Sequence, residues 1–171
     1  MKKAMINYIQ SEKFDDIYTP DHAVKPLLKY LPVEPMKIWE CCDFGGSNIS
    51  KLLRKMGHTV ISTDKEFNFL TGDCAFEFDM IITNCPYSLK DKFISKCYEY
   101  NKPFALLLPI TALEGVARGK MYREHSIELL VLDRRVNFLQ HMGLKEKGGN
   151  WFNSSWFCWK ILPKQLIFEE L

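Results

Sequence analysis

Six short runs of apolar, often β-branched residues recur along the chain, at Lys37–Cys41, His58–Thr63, Met80–Thr83, Pro103–Leu108, Ile127–Leu132 and Ser155–Leu162. Helix-like stretches separate most of them. Runs this short and this apolar suit strands buried on both faces, which is the condition of a parallel sheet covered by crossover helices. Between the first two, Asn48–Gly57 carries Ile49, Leu52, Leu53 and Met56 at helical spacing and ends on a glycine where a C-cap belongs. Lys90–Tyr100 sets Phe93, Ile94, Cys97 and Tyr98 on one helical face, and Ala112–Glu124 is a weaker, glycine-interrupted helix. At the front, Asp21–Leu31 reads as a helix capped by Thr19 or Asp21 and stopped by Pro32. The expected architecture is an α/β sheet with helices on both faces. With no repeat and no linker long enough to divide 171 residues, one domain over 1–171 is expected.

Composition narrows the setting. A hydrophobic content of 47% with 26% charged residues is that of a globular chain, and no apolar run approaches the roughly 20 residues of a membrane span. The start, Met1-Lys2-Lys3-Ala4, has no apolar segment behind its lysines, so a cytoplasmic protein without membrane contact is expected. Cys41, Cys42, Cys74, Cys85, Cys97 and Cys158 form no CxxC pair and no zinc-spaced cluster with histidine; they are expected to be reduced and mostly buried, and no metal is expected. The net charge of +2 is unevenly spread, with 11 basic against 7 acidic residues between positions 90 and 147. A surface for an anionic polymer would be built from that region.

Three stretches carry chemistry. Strand Ile38–Cys41 runs into the small-residue loop Cys42-Asp43-Phe44-Gly45-Gly46-Ser47 and then a helix, an arrangement that lets backbone approach a nucleotide-like ligand at the carboxyl end of a strand. The next strand ends in Thr63-Asp64, and an acidic side chain there can accept both hydroxyl hydrogens of a ribose. Finally the apolar strand Met80–Thr83 delivers Asn84-Cys85-Pro86-Tyr87 to its end. The Asn84 side-chain oxygen and the Cys85 main-chain carbonyl are two acceptors, Pro86 fixes the backbone, and Tyr87 offers a flat face. Together they form a receptor for a planar NH₂ group.

On these residues the sequence resembles the amino-methylating class I S-adenosylmethionine-dependent methyltransferases, and within them the small adenine-N6 methyltransferases common in phages and prophages, whose signature is Asp/Asn-Pro-Pro-Tyr/Phe. The likeness runs in order through Tyr18-Thr19-Pro20, Trp39-Glu40, Asp64, Asn84-Cys85-Pro86-Tyr87, Pro103–Leu108, Arg134–Phe138 and Trp156–Trp159. Cys85 stands where the signature has its first proline, and the 41–47 loop departs from the usual Pro-Ala-Cys-Gly-x-Gly. The resemblance implies a Rossmann-like, mostly parallel sheet of about seven strands. It implies S-adenosylmethionine held by Thr19, Pro20, Glu40, Asp43, Gly45, Gly46, Asp64 and Asp73, and a target amine held by Asn84, Cys85, Pro86 and Tyr87. Arg134, Arg135, Lys145 and Lys147 would meet the phosphates of a nucleic acid, DNA ahead of RNA. With no separate target-recognition domain, sequence preference would be short or relaxed, unless a homodimer partner contributes. Methylation of a protein glutamine poses the same problem of an NH₂ group, and a non-catalytic or cofactor-consuming binding protein is the remaining alternative.

Overall fold

A computed structural model describes residues 17–43, 46–64, 67–72, 74–140, 145–146 and 153–171. Its main sheet has seven strands: β2 (Lys37–Glu40), β3 (Thr59–Ser62), β4 (Met80–Thr83), β5 (Phe104–Pro109), β6 (Glu128–Leu132), β9 (Ser154–Trp159) and β10 (Leu166–Glu169), in the order β10-β6-β9-β5-β4-β2-β3. β9 is antiparallel to both neighbours and every other pairing is parallel. The carboxyl ends of β2, β3, β4, β5, β6 and β10 therefore share one rim. A second, small antiparallel sheet joins β1 (Ile17–Tyr18), β7 (Leu139–Gln140) and β8 (Lys145–Glu146).

Among the described residues four α-helices flank the main sheet: α1 (Asp21–Leu28), α2 (Asn48–Lys55), α3 (Lys90–Tyr100) and α4 (Val116–His125). They cover both faces, and two tryptophans of β9 show it. Trp156 donates its indole N–H to the Ala23 carbonyl of α1, while Trp159, an odd number of residues along a strand and so on the other face, donates to the His125 carbonyl at the end of α4. β4, β5 and β9 are buried throughout, which is why they read as unbroken apolar runs.

Local chemistry sets the element ends. Gly57 takes φ +94° one residue past the α2 C-cap and donates its amide to Arg54, the role expected from its position. At α1 the N-cap is Pro20 and no side chain caps it, so neither Thr19 nor Asp21 serves; the helix closes at Leu28, with Pro26 inside it. The expected 112–124 helix is split, because Gly115 at φ +129° separates a 3₁₀ turn, Ile110–Leu113, from α4. β9 stops at Trp159 rather than Leu162, since Lys160 is left-handed at φ +58° and the amides of residues 160, 161 and 162 are all taken by the Glu128 carboxylate. β10 lies beyond every strand expected from the sequence.

The stretch between β3 and β4 contains no helix or strand among its described residues, and still contributes to the core. Phe67, Phe69, Phe76 and Phe78 surround the buried Trp39 ring at centroid distances of 5.8, 4.9, 4.9 and 5.1 Å, and Phe69 stacks on Phe93 of α3 at 4.9 Å. Offset and edge contacts of this kind each add about 0.5–1.5 kcal/mol beyond the area buried. The Trp39 N–H is satisfied by Thr63 at 2.8 Å.

Candidate active site

The crossover from β2 runs outward to β3, whereas β4 pairs with the opposite edge of β2. That reversal is the topological switch point, where open α/β sheets place ligands beyond their strand ends. Glu40, at the end of β2, and Asn84, one residue beyond β4, stand on either side of it.

Glu40 is 1% exposed. Its carboxylate accepts from Thr83 Oγ1 at 2.5 Å, from the Cys42 amide at 3.1 Å and from Ser47 Oγ at 3.2 Å, so one side chain ties the end of β4 to the loop and to the N-cap of α2. Burial pushes its pKa up to about 7, against the pull of the Thr83, Cys42 and Ser47 hydrogen bonds; the nearby Asp43 charge pushes the same way as burial.

Asp43 is turned into its own loop. One carboxylate oxygen accepts from the amides of Gly46 and Ser47, each at 2.6 Å, and the other from Ser50 Oγ at 2.5 Å. Burial raises its pKa, but these bonds, with a contribution from Ser62, outweigh it and hold the carboxyl below its usual range. The N-terminal amides of α2 that a ligand carboxylate would use are thus partly taken by the protein's own anion. Asp43→Asn keeps one acceptor oxygen but loses the charge and opposes Ser50. It should cost about 1–2 kcal/mol and lower the melting temperature by about 2–8 °C; calorimetry showing an unchanged transition would contradict this role.

Beside Asp43 a cleft of about 350 Å³ opens along the ends of β2 and β3, lined by Asp43, Ser62, Thr63, Asp64 and Phe67. Asp64 is exposed at the tip of β3 and faces this space. Thr19 and Pro20 are buried next to the start of α2, where the Thr19 carbonyl accepts from Asn48 Nδ2 at 3.0 Å. Gly46 lies in the loop at φ +96°. Gly45 and Asp73 are outside the described residues.

At the end of β4, Asn84 Oδ1 is buried with no hydrogen-bond partner among the described residues. An amide oxygen in that condition costs on the order of 1–3 kcal/mol unless something else donates to it. The Cys85 side chain is buried, 2% exposed, and its thiol is unpaired with any other cysteine. Pro86, at φ −53° and ψ 121°, turns the chain into a short 3₁₀ turn, Tyr87–Leu89. Tyr87, expected to offer a flat face to the amine, is 6% exposed, its ring edge-on to Phe138 at 6.3 Å and its hydroxyl 3.4 Å from Ser154 Oγ. Burial raises its phenol pKa.

Arg134 and Arg135 follow β6 on the same rim, three strand spacings from β4, or about 14 Å. Both are exposed, and Arg134 Nε lies 3.5 Å from Asp133. Lys145 belongs to β8, its side chain outside the described residues, as is all of Lys147. Sequence reasoning missed Thr83, Ser47, Ser50 and Phe67. Ser47 alone was legible, as a hydroxyl residue directly before a helical pattern. Among the described residues no group of three or more His, Cys, Asp or Glu could hold a metal, and no helix is long and apolar enough to cross a membrane.

No protein-family model and no curated protein matches the chain. Among solved structures it is similar to the methyltransferase subunit of a type I restriction-modification system from Streptococcus thermophilus, at 13% identity and a TM-score of 0.54 over 99% of this chain and 50% of that one. It is equally similar to a protein from Listeria monocytogenes provisionally assigned to the class I S-adenosylmethionine-dependent methyltransferases, with 13% identity and a TM-score of 0.54 over 99% of this chain and 72% of that one. The chain thus spans half the length of the first relative. These likenesses show the fold: an α/β, Rossmann-like sheet of the class I methyltransferase type.

Proposed function

We propose, from the premise of a class I methyltransferase fold, that the protein transfers a methyl group from S-adenosylmethionine to the exocyclic N6 amine of adenine in nucleic acid, DNA ahead of RNA. The observation that carries this reading is the buried, unpartnered Oδ1 of Asn84 at the switch point, an acceptor held ready for an N–H that the described residues do not supply. Beside it the Cys85 carbonyl can take the second hydrogen of the same amine. An amine gripped at both hydrogens keeps its lone pair directed away from them, which is the state in which it attacks.

The cleft at the ends of β2 and β3 fits the donor. Asp64 would accept the ribose hydroxyls and Phe67 would wall the adenine side. Glu40, buried behind the loop, would serve the donor by holding Cys42 and Ser47 in place, and Thr19-Pro20 would lie toward its methionine end. When bound, S-adenosylmethionine supplies an electrophilic methyl on a sulfonium. The protein's own part is positioning and exclusion of water. Tyr87 would bound the amine pocket, with Phe138 and Ser154 fixing its ring. An adenine inside a duplex reaches such a pocket only by flipping out, so single strands are the less costly substrate. Exposed Arg134 and Arg135 on the same rim support an anionic polymer as the carrier of the base, and one structural relative belongs to a restriction-modification system.

The cofactor half of this reading is tested by calorimetry. S-adenosylmethionine and S-adenosylhomocysteine should both bind, and Asp64→Ala should weaken both by about 10- to 100-fold, because two charge-assisted hydrogen bonds are lost. No heat with either ligand would refute it.

A further inference from the structure

We infer that two copies of this chain associate through β10, edge to edge, in one antiparallel register centred on Ile167. The inference is independent of the proposed chemistry. Among the described residues β10 pairs with β6 alone, so its other edge ends the sheet. The Gln165 and Glu169 carbonyls accept from Leu129 and Asp133, turned toward β6. By alternation, the amides and carbonyls of Leu166 and Phe168 face the open edge.

Natural sheet edges are usually guarded by charge, proline or a bulge, and this one presents Leu-Ile-Phe. Leu166 is 52% exposed and Phe168 70%, both on the α4 face of the sheet. A second copy is the occupant because the segment is complementary to itself. A two-fold axis at Ile167 sets Leu166 opposite the partner's Phe168 as a hydrogen-bonded pair, twice over, and Lys164 opposite the partner's Glu170. Shifting the axis to Leu166 sets Phe168 against the partner's Lys164, and shifting it to Phe168 sets Leu166 against the partner's Glu170. Only the central register matches apolar with apolar and basic with acidic. The contact is isologous and closes at two copies. Because paired antiparallel strands point opposite ways, the two rims carrying Asn84 would lie on opposite sides of the joined sheet, and each site would act alone.

Sedimentation equilibrium on the full chain at about 100 µM tests this directly. The wild-type protein should be a dimer. Leu166→Lys with Phe168→Lys sets like charges opposite each other and should weaken association at least about tenfold. Leu166→Lys with Phe168→Glu sets opposite charges across the same register and should associate at least about tenfold more tightly than the doubly lysine variant at low salt. Both positions are exposed, so an unchanged circular-dichroism spectrum should verify the fold of each variant, whatever its state of association. A monomeric wild type would overturn the inference and leave the edge to an unlike partner. So would a doubly lysine variant that dimerises normally, or a charge-swapped pair no tighter than it.

Discussion

Asn84→Ala should lower methyl transfer by about 10²–10³ while leaving the affinity for S-adenosylmethionine nearly unchanged. The lost interaction belongs to the amine as it reacts, not to the donor, whose cleft lies along β2 and β3. The same substitution should not destabilise the fold and should raise its stability slightly, because it deletes a buried oxygen that the described residues leave unpaired. That combination separates a reacting group from a structural one. A structural asparagine would lose stability along with activity, and full activity of the alanine variant would remove Asn84 from the chemistry.

The second large effect is in pH. Glu40 is pushed from 4.5 to about 7 by burial, so between these values the folded chain holds a proton that the unfolded chain has released. Stability must then fall as pH rises through that window, by about 3 kcal/mol from this group, and stay level above it. Below pH 4.5 both states are protonated and the cost vanishes. Asp43, with its pKa lowered, acts in the opposite sense, losing its contribution in acid. Urea unfolding of wild type and Glu40→Gln from pH 4.5 to 7.5 isolates the effect: the wild type should decline relative to the variant by about 3 kcal/mol. Parallel curves would mean that Glu40 stays charged in the fold.

Sequence pattern located most of the frame and the rim. Buried strands such as β4 and β5 announce themselves because both faces are apolar, and α2 and α3 by the 3.6-residue spacing of their buried residues. β10 stayed hidden: four residues with exposed Leu166 and Phe168 look like a tail, and only pairing with β6 makes them a strand. The Phe67–Phe78 stretch was equally opaque, since its order comes from rings packed on Trp39 rather than from any local period. Within the site, residue types pointed to Asn84 and Asp64, but the partners did not show. Nothing local says that Thr83 donates to Glu40 on the neighbouring strand, that Asp43 bends back to its own loop's amides, or that Tyr87 lies covered by Phe138. Those are long-range facts, fixed by which strands become neighbours.

The central claim, amine methylation of adenine, is tested most directly by offering S-adenosylmethionine labelled in its methyl group together with DNA, RNA and cell-lysate protein in parallel. The products are then digested and the nucleosides and peptides identified by mass spectrometry. The expected result is label on N6-methyladenine in nucleic acid, absent when Asn84→Ala is used. Label on cytosine, label confined to a protein glutamine, or cofactor bound with no methyl delivered to any of the three would contradict it.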